Sequence, residues 1–143
     1  MKRAKGDYDG AIADCTKAVE LKPDYAGAYN NRGWSEFLKN DYDNAIRDAT
    51  HAIQLGSKNR YAYGTRGWAR YGKSDNAGAL EDLKKAIELS GVNSLDQGMI
   101  DFINSDYQKA VDSWQKAIQH DASLGRELQP WIEKAKGKLT SAN

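Results

Sequence analysis

Residues 29–34 read Tyr-Asn-Asn-Arg-Gly-Trp and residues 63–68 read Tyr-Gly-Thr-Arg-Gly-Trp, so one pattern returns 34 positions later. The same period extends into the flanking sequence. Two series of alanines are spaced by 34 residues and then by a shorter step of 31: Ala11, Ala45, Ala79 and Ala110, and Ala18, Ala52, Ala86 and Ala117. A fixed period of this length indicates a repeat protein, in which one structural unit recurs along the chain.

Each period contains two apolar segments separated by a short polar break. In residues 26–59 the break is Lys39-Asn40-Asp41. This pattern predicts two short helices joined by a tight turn. Small residues such as Gly33 would let neighbouring helices approach closely. The predicted helices run near residues 8–21, 26–39, 42–55, 60–72, 76–90 and 94–104. No single pair can bury its apolar face, so we expect an all-α fold of stacked helix pairs.

The repeated residues resemble the tetratricopeptide repeat (TPR) family, whose 34-residue pattern combines aromatic residues with a glycine and alanines. The matching positions are Tyr29, Arg32, Gly33, Glu36, Ala45, Ala49 and Ser57, then Tyr63, Arg66, Gly67, Arg70, Ala79, Leu83 and Gly91. Arginine replaces the family's leucine, and Glu36 or Arg70 replaces its second tyrosine. The resemblance covers roughly residues 6 to 122. It implies a bacterial-type array with the TPR solenoid fold, a right-handed superhelix of antiparallel helix pairs.

We expect one TPR domain over residues 1–143. Its predicted parts are a partial repeat at 6–24, full repeats at 26–59 and 60–93, a shortened repeat at 94–122 and a C-terminal capping helix at 129–140. The first repeat contains only a second helix, so the chain is either a fragment of a longer array or is completed by another chain. The capping helix is predicted to start near Gln129, because Pro130 suits a first helical turn.

Composition argues against several classes of function. The 21 basic residues are balanced by 20 acidic ones, so the basic excess of a typical nucleic-acid-binding protein is missing. The sequence contains no run of about 18 apolar residues, so membrane insertion is not predicted. The mean hydropathy of −0.80 suits a soluble protein. The sequence does not fix a location, and we favour the cytoplasm. The sequence has no Gly-rich phosphate loop and no grouping of His, Cys and carboxylate residues, so we expect neither enzyme activity nor a cofactor.

The cysteine and histidine residues predict no metal site. Cys15 is the only cysteine, so a disulfide or a thiolate cluster cannot form within one chain. We interpret it as a buried thiol, which packs like a small hydrophobic residue. His51 and His120 have no partner at ligand spacing, and we expect both at the surface.

The resemblance also implies where a partner binds, because in this family the first helices of successive repeats line a concave groove for a peptide. The implied peptide-binding residues are Asn30, Asn31, Trp34, Phe37, Leu38, Tyr61, Thr65, Trp68 and Tyr71. Trp34 and Trp68 are the central candidates, since exposed tryptophan is a frequent binding anchor. The alternative is that both indoles pack between helices. Part of the family binds a C-terminal carboxylate through a defined set of side chains. Only Asn31 of that set is present here, so we do not expect carboxylate binding.

Two arginines allow a functional and a structural interpretation. Arg32 and Arg66 could bind an anion, but Asp48 and Asp82 each follow one of them by 16 residues. The shortened repeat has lost both members together and carries Gln97 and Ser113 instead. We therefore predict that each arginine pairs with the aspartate of its own repeat. Such a pair can fix the register between two helices.

Two functions from different classes remain. The first is a non-catalytic scaffold that binds a protein or peptide in its groove. The second is a self-assembling structural protein, in which residues 8–21 form contacts between copies of the chain. This second possibility rests on the apolar stripe of that segment, formed by Ile12, Cys15, Ala18 and Val19, since a contiguous apolar patch usually marks an interface.

Overall fold

The computed structural model describes residues 7–91 and 93–141. Gly6, the first residue of the predicted partial repeat, and Val92, within the predicted repeat 60–93, lie outside the described residues. Within these ranges the chain forms eight α-helices, one short 3₁₀-helix and no strand. The helices are α1 (Tyr8–Leu21), α2 (Ala26–Leu38), α3 (Tyr42–Leu55), α4 (Arg60–Gly72), α5 (Asn76–Ser90), α6 (Ser94–Ile103), α7 (Tyr107–His120) and α8 (Gly125–Ser141). The predicted bounds of α1 to α6 are confirmed to within one residue.

The capping helix starts earlier than predicted. It begins at Gly125 and continues through Pro130 to Ser141. A proline removes one backbone hydrogen bond, here the one to the carbonyl of Arg126, but its fixed φ is compatible with a helix. The preceding 3₁₀ turn, Ala122–Leu124, leads directly into α8. The helix therefore already has a first turn before the proline is reached.

The turns inside repeats 2, 3 and 4 share one backbone geometry. Asn40, Ser74 and Ser105 occupy the same place and have φ values of 65°, 67° and 64°. The residue after each donates its N–H to a carbonyl five positions earlier, as Asp41 does to Glu36 at 2.8 Å. This is the usual way to close a helix with a left-handed residue, and it occurs here without glycine.

The described chain divides into two compact bodies, an N-terminal body up to Leu89 and a C-terminal body from Ser90. In the N-terminal body, glycines allow the close helix crossings that the repeat pattern predicts. A methyl group at Gly33 would lie 3.2 Å from the carbonyl oxygen of Ala45. One at Gly67 would lie 2.8 Å from the side chain of Leu83. At Gly67 a side chain would force Leu83 to move, and at Gly33 it would make a tight contact with the backbone of α3, so both positions favour glycine.

The C-terminal body packs around Trp114, whose side chain is fully buried. The indole nitrogen donates a hydrogen bond to the carbonyl oxygen of Leu95 at 3.1 Å. Gly98 lies directly against the indole, because a methyl group there would be 2.3 Å from its nitrogen. Helix α8 packs on α7 and buries Leu128 and Ile132. The remaining faces of α8 carry exposed lysines, which is the arrangement expected of a capping helix.

Helix α1 buries only part of its apolar stripe in the described chain. Val19 is buried and belongs to a cluster with Tyr29 of α2. Ile12 and Cys15 are partly buried, so the prediction of a buried Cys15 is wrong in degree. His51 is exposed, as predicted, and stacks on the ring of Tyr29 with 4.1 Å between centroids.

Candidate functional site

The candidate surface is formed by α2 and α4, the first helices of repeats 2 and 3. The two helices pack side by side. The hydroxyl of Thr65 on α4 donates a hydrogen bond to the side-chain oxygen of Asn30 on α2 at 2.8 Å. The rings of Trp34 and Trp68 meet edge-on, with 5.8 Å between centroids. All nine residues implied in peptide binding therefore belong to two neighbouring helices.

Six of these nine residues have access to solvent. Asn31 and Tyr61 are exposed, and Tyr61 retains 63% of its accessible surface. The other four reach the surface with part of the side chain: Asn30, Trp34, Leu38 and Tyr71. We call these six residues the α2–α4 surface. Its accessible groups are aromatic rings, an aliphatic chain and side-chain amides.

The remaining three residues, Phe37, Thr65 and Trp68, are buried, so the expectation that they face an open groove is wrong. Trp68 is only 1% exposed. The cause is that side chains of α2 cover it, because Trp34 and Phe37 both meet its ring edge-on at 5.8 Å. Aromatic rings favour this geometry. Trp68 is a core residue, whereas Trp34 lies at the margin of the same cluster.

The predicted pairs of arginine and aspartate are confirmed. Arg32 donates two hydrogen bonds to the carboxylate of Asp48, at 2.7 and 2.8 Å. Arg66 binds Asp82 in the same way, with both bonds at 2.9 Å. These hydrogen bonds raise the pKa of both arginines above the ordinary value. The two guanidinium groups are therefore permanently charged and already occupied, which argues against a role as free anion sites.

Each guanidinium also contacts a third helix, which the sequence analysis missed. Arg32 donates to the hydroxyl of Thr16 on α1, and Arg66 donates to that of Thr50 on α3, both at 3.3 Å. Each threonine precedes its arginine by 16 residues. This regular spacing was a usable signal. The arginine therefore connects the second helix of one repeat with both helices of the next.

One further position of this network carries a different residue in each of repeats 2, 3 and 4. In repeat 3 it is Arg70, which adds a second guanidinium to Asp82 at 2.8 Å. In repeat 4 it is Asp101, which accepts hydrogen bonds from Gln97 at 3.0 Å and Ser113 at 3.4 Å. In repeat 2 it is Glu36, which places a second carboxyl group beside an aspartate that is already paired.

Glu36 is kept neutral by its surroundings. It is 8% exposed, and its Oε1 atom has no hydrogen-bond partner among the described residues. Burial raises the pKa of Glu36, and a hydrogen bond with Asp48 together with the charge of Asp48 raises it further, to about 8. The nearby Arg32 opposes this shift only in part. At neutral pH the side chain is therefore mainly a carboxylic acid.

The charged groups of α2 and α4 are thus mostly engaged in contacts between helices. Of their five charged side chains only Arg60, at the start of α4, is exposed. Its guanidinium lies over the ring of Tyr61, 4.7 Å from the centroid, and donates to the Tyr61 hydroxyl at 2.8 Å. Arg32, Arg66 and Arg70 are bound to carboxylates and keep only 20%, 16% and 26% of their side-chain surface accessible.

The described residues show neither a metal site nor a membrane span. No group of three or more His, Cys, Asp or Glu side chains in residues 7–91 and 93–141 could hold a metal ion. Among the described helices, none combines the length and the apolar character needed to cross a bilayer.

Two family models match the repeated part of the sequence. One is described as "TPR repeat" and matches residues 1–34, and the other as "Tetratricopeptide repeat" and matches residues 26–59. The second match coincides with the predicted repeat 2, whose helix pair and glycine crossing the structure shows. Residues 1–59 therefore carry tetratricopeptide repeats. No curated protein matches its sequence.

Solved structures share the fold of this chain. A crystal structure titled "Crystal structure of MamA protein" has a TM-score of 0.60 at 22% identity, covering 99% of this chain and 84% of that one. A second, titled "Crystal structure of MamA", has a TM-score of 0.61 at 22% identity, with 99% and 94% covered. A third, "MamA RS-1 ArsTM double mutant", has a TM-score of 0.59 at 21% identity, with 82% and 68% covered. At this identity the likeness concerns the fold alone.

Proposed function

We propose that this chain is a non-catalytic TPR scaffold that binds an uncharged segment of a partner protein on its α2–α4 surface. TPR proteins in general serve protein interaction. The observation that supports the choice of surface is the distribution of charge. Four of the five charged side chains of α2 and α4 take part in contacts between helices, while aromatic and amide groups remain accessible.

The accessible groups suggest how a peptide is held. The side-chain amide of Asn31 is exposed and can both donate to and accept from a peptide backbone. Trp34 is fixed on one side by Phe37 and Trp68, so little conformational entropy is lost when its free part is covered. Leu38, Tyr61 and Tyr71 add apolar area. Aromatic anchors of this kind contribute most of the affinity in many interfaces.

Replacing Trp34 by alanine should weaken peptide binding by about 30-fold or more, which corresponds to about 2 kcal/mol. The peptide is selected from a displayed random library, and its affinity is measured by calorimetry. Gln54→Ala on α3 is the matched control, because it truncates an exposed polar side chain on another helix. It should leave the affinity unchanged.

A second readout tests the uncharged character of the bound segment. Raising the salt concentration from about 0.1 M to about 1 M reduces the Debye screening length from about 10 Å to about 3 Å. Affinity for the selected peptide should change little. A folded Trp34→Ala variant with parental affinity, or an affinity that falls steeply with salt, would show that another surface binds the partner.

Self-assembly through residues 8–21 is the alternative function. One observation favours it: Leu21, at the end of α1, is 80% exposed. Light scattering distinguishes the two functions, since assembly requires a mass that rises with protein concentration. A mass of one chain at every concentration would remove this alternative.

A further inference from the structure

Repeats 2 and 3 place opposite charges at one equivalent position, Glu36 and Arg70. In repeat 3, Asp82 is neutralised by two guanidinium groups, from Arg66 and Arg70. In repeat 2, Arg32 faces two carboxyl groups, those of Asp48 and Glu36. One guanidinium can balance only one carboxylate. If both acids of repeat 2 were ionised, a buried negative charge would lack a partner, which is strongly unfavourable.

We propose that Glu36 connects α2 to α3 as a neutral carboxylic acid, and that the loss of its proton in alkaline solution loosens this helix pair. In the acid form Glu36 can donate a hydrogen bond to the carboxylate of Asp48. After ionisation two negative groups would occupy the same buried space. The contact therefore changes from attractive to repulsive when a single proton is removed.

The groups around Glu36 do not supply a second positive charge. On its own helix the nearest cation is Arg32, which Asp48 already binds at 2.7 and 2.8 Å. From the α3 side, Asp48 and the N-cap residue Asp41 both disfavour a further negative charge. Their effect has the same sign as that of burial.

The two neighbouring helices are no better placed to neutralise an ionised Glu36. The arginines of α4 that face the interior, Arg66 and Arg70, are bound to Asp82. From α1, Asp9 pairs with Lys39 beyond the end of α2, and the hydroxyl of Thr16 contacts Arg32. The other cations of these two helices, Lys17 of α1 and Arg60 of α4, are both exposed.

The pH window follows from the position of the Glu36 pKa. In the folded chain it is raised to about 8 from an ordinary value of 4.5. Above 4.5 the unfolded chain releases the proton while the folded chain keeps it, so stability falls as the pH rises. The contribution is complete below 4.5 and is lost once the pH has passed about 8. Between these two pH values, each rise of one pH unit shifts the equilibrium between the closed and the opened helix pair by up to about tenfold toward the opened state.

The change would also reach the candidate binding surface, since α2 carries both Asn31 and Trp34. This consequence rests on the proposed function. The loosening itself does not, because it can be measured in the absence of any peptide. A failure of the proton effect is therefore distinguishable from a failure of peptide binding.

Hydrogen exchange read by mass spectrometry tests the proposal on the wild-type chain and Glu36→Gln. Glutamine has the shape and hydrogen-bonding groups of the neutral acid but cannot ionise. Both proteins are compared at about pH 5 and about pH 9, so that intrinsic exchange rates cancel at each pH. Peptides from α7 and α8 serve as the internal reference, because they belong to the other compact body.

We expect the opening of α2 and α3 in the wild type, relative to Glu36→Gln, to increase by at least about tenfold between the two pH values. The reference peptides should show no such change. An equal ratio of wild type to variant at both pH values would overturn the proposal. Infrared spectra with isotope-labelled glutamate give a second, direct readout at neutral pH. A protonated carboxyl band should appear in the wild type and vanish in Glu36→Gln, and its absence from the wild type would also refute the proposal.

Discussion

Replacing Asp82 by alanine is expected to lower the free energy of unfolding by about 3 kcal/mol. Its side chain is 2% exposed and accepts two hydrogen bonds from Arg66 at 2.9 Å and one from Arg70 at 2.8 Å. The variant would leave two cations near the core without an anion. Removing one partner of a buried ion pair typically costs 3–5 kcal/mol. We expect the lower end, because Arg66 and Arg70 are 16% and 26% exposed and can reach water.

The measurement is denaturant unfolding followed by circular dichroism, with Asp43→Ala as the control. Asp43 also pairs with a cation, Lys73, at 3.0 Å, but both side chains are largely exposed. Deleting an exposed partner should change the free energy of unfolding by less than about 1 kcal/mol. If the two variants lost equal stability, the buried network would not have the structural importance assigned to it.

Replacing Trp68 by alanine is expected to cost about 3 to 5 kcal/mol of stability, the range found for deleting a buried aromatic side chain. The indole is 1% exposed and lies edge-on to both Trp34 and Phe37. Its removal leaves a cavity between α2 and α4. Since small domains are stable by only about 5–15 kcal/mol, the variant should be close to unfolding at moderate temperature.

The matched control for this variant is Trp34→Ala, which removes the same side chain from the equivalent position of the preceding repeat. Trp34 keeps part of its surface in solvent, so its deletion should destabilise the fold clearly less and affect peptide binding more. Thermal unfolding of both variants measures the two losses of stability. Equal losses of stability would mean that Trp34 is as much a core residue as Trp68.

The elements of the fold could be predicted because the repeat period constrains them several times over. A helix boundary in repeat 2 had to agree with the same boundary 34 residues later, as the starts of α2 at Ala26 and α4 at Arg60 do. The ion pairs were predictable for the same reason, since Asp48 and Asp82 follow their arginines at equal spacing. Thr16 and Thr50 precede the two arginines at an equal spacing, but their contacts with the arginines were not predicted.

Solvent exposure was not predictable from the period alone. Trp34 and Trp68 are equivalent in the repeat, yet only Trp68 is buried. The difference arises because the side chains of α2 lie across α4, a contact between repeats that no local pattern contains. The neutral state of Glu36 was likewise not predictable from the sequence. Its environment depends on a second acid, Asp48, that already has its own partner, so the unusual state becomes visible only in three dimensions.

The central claim is that a partner binds on the accessible face of α2 and α4, and nuclear magnetic resonance tests it most directly. The chain, labelled with ¹⁵N, is titrated with the selected peptide. We predict that the signals of Asn31, the Trp34 indole, Leu38, Tyr61 and Tyr71 shift together, while those of the exposed faces of α3 and α5 stay in place. Shifts confined to α1, α3 or α5, with the Trp34 indole unchanged, would contradict the claim.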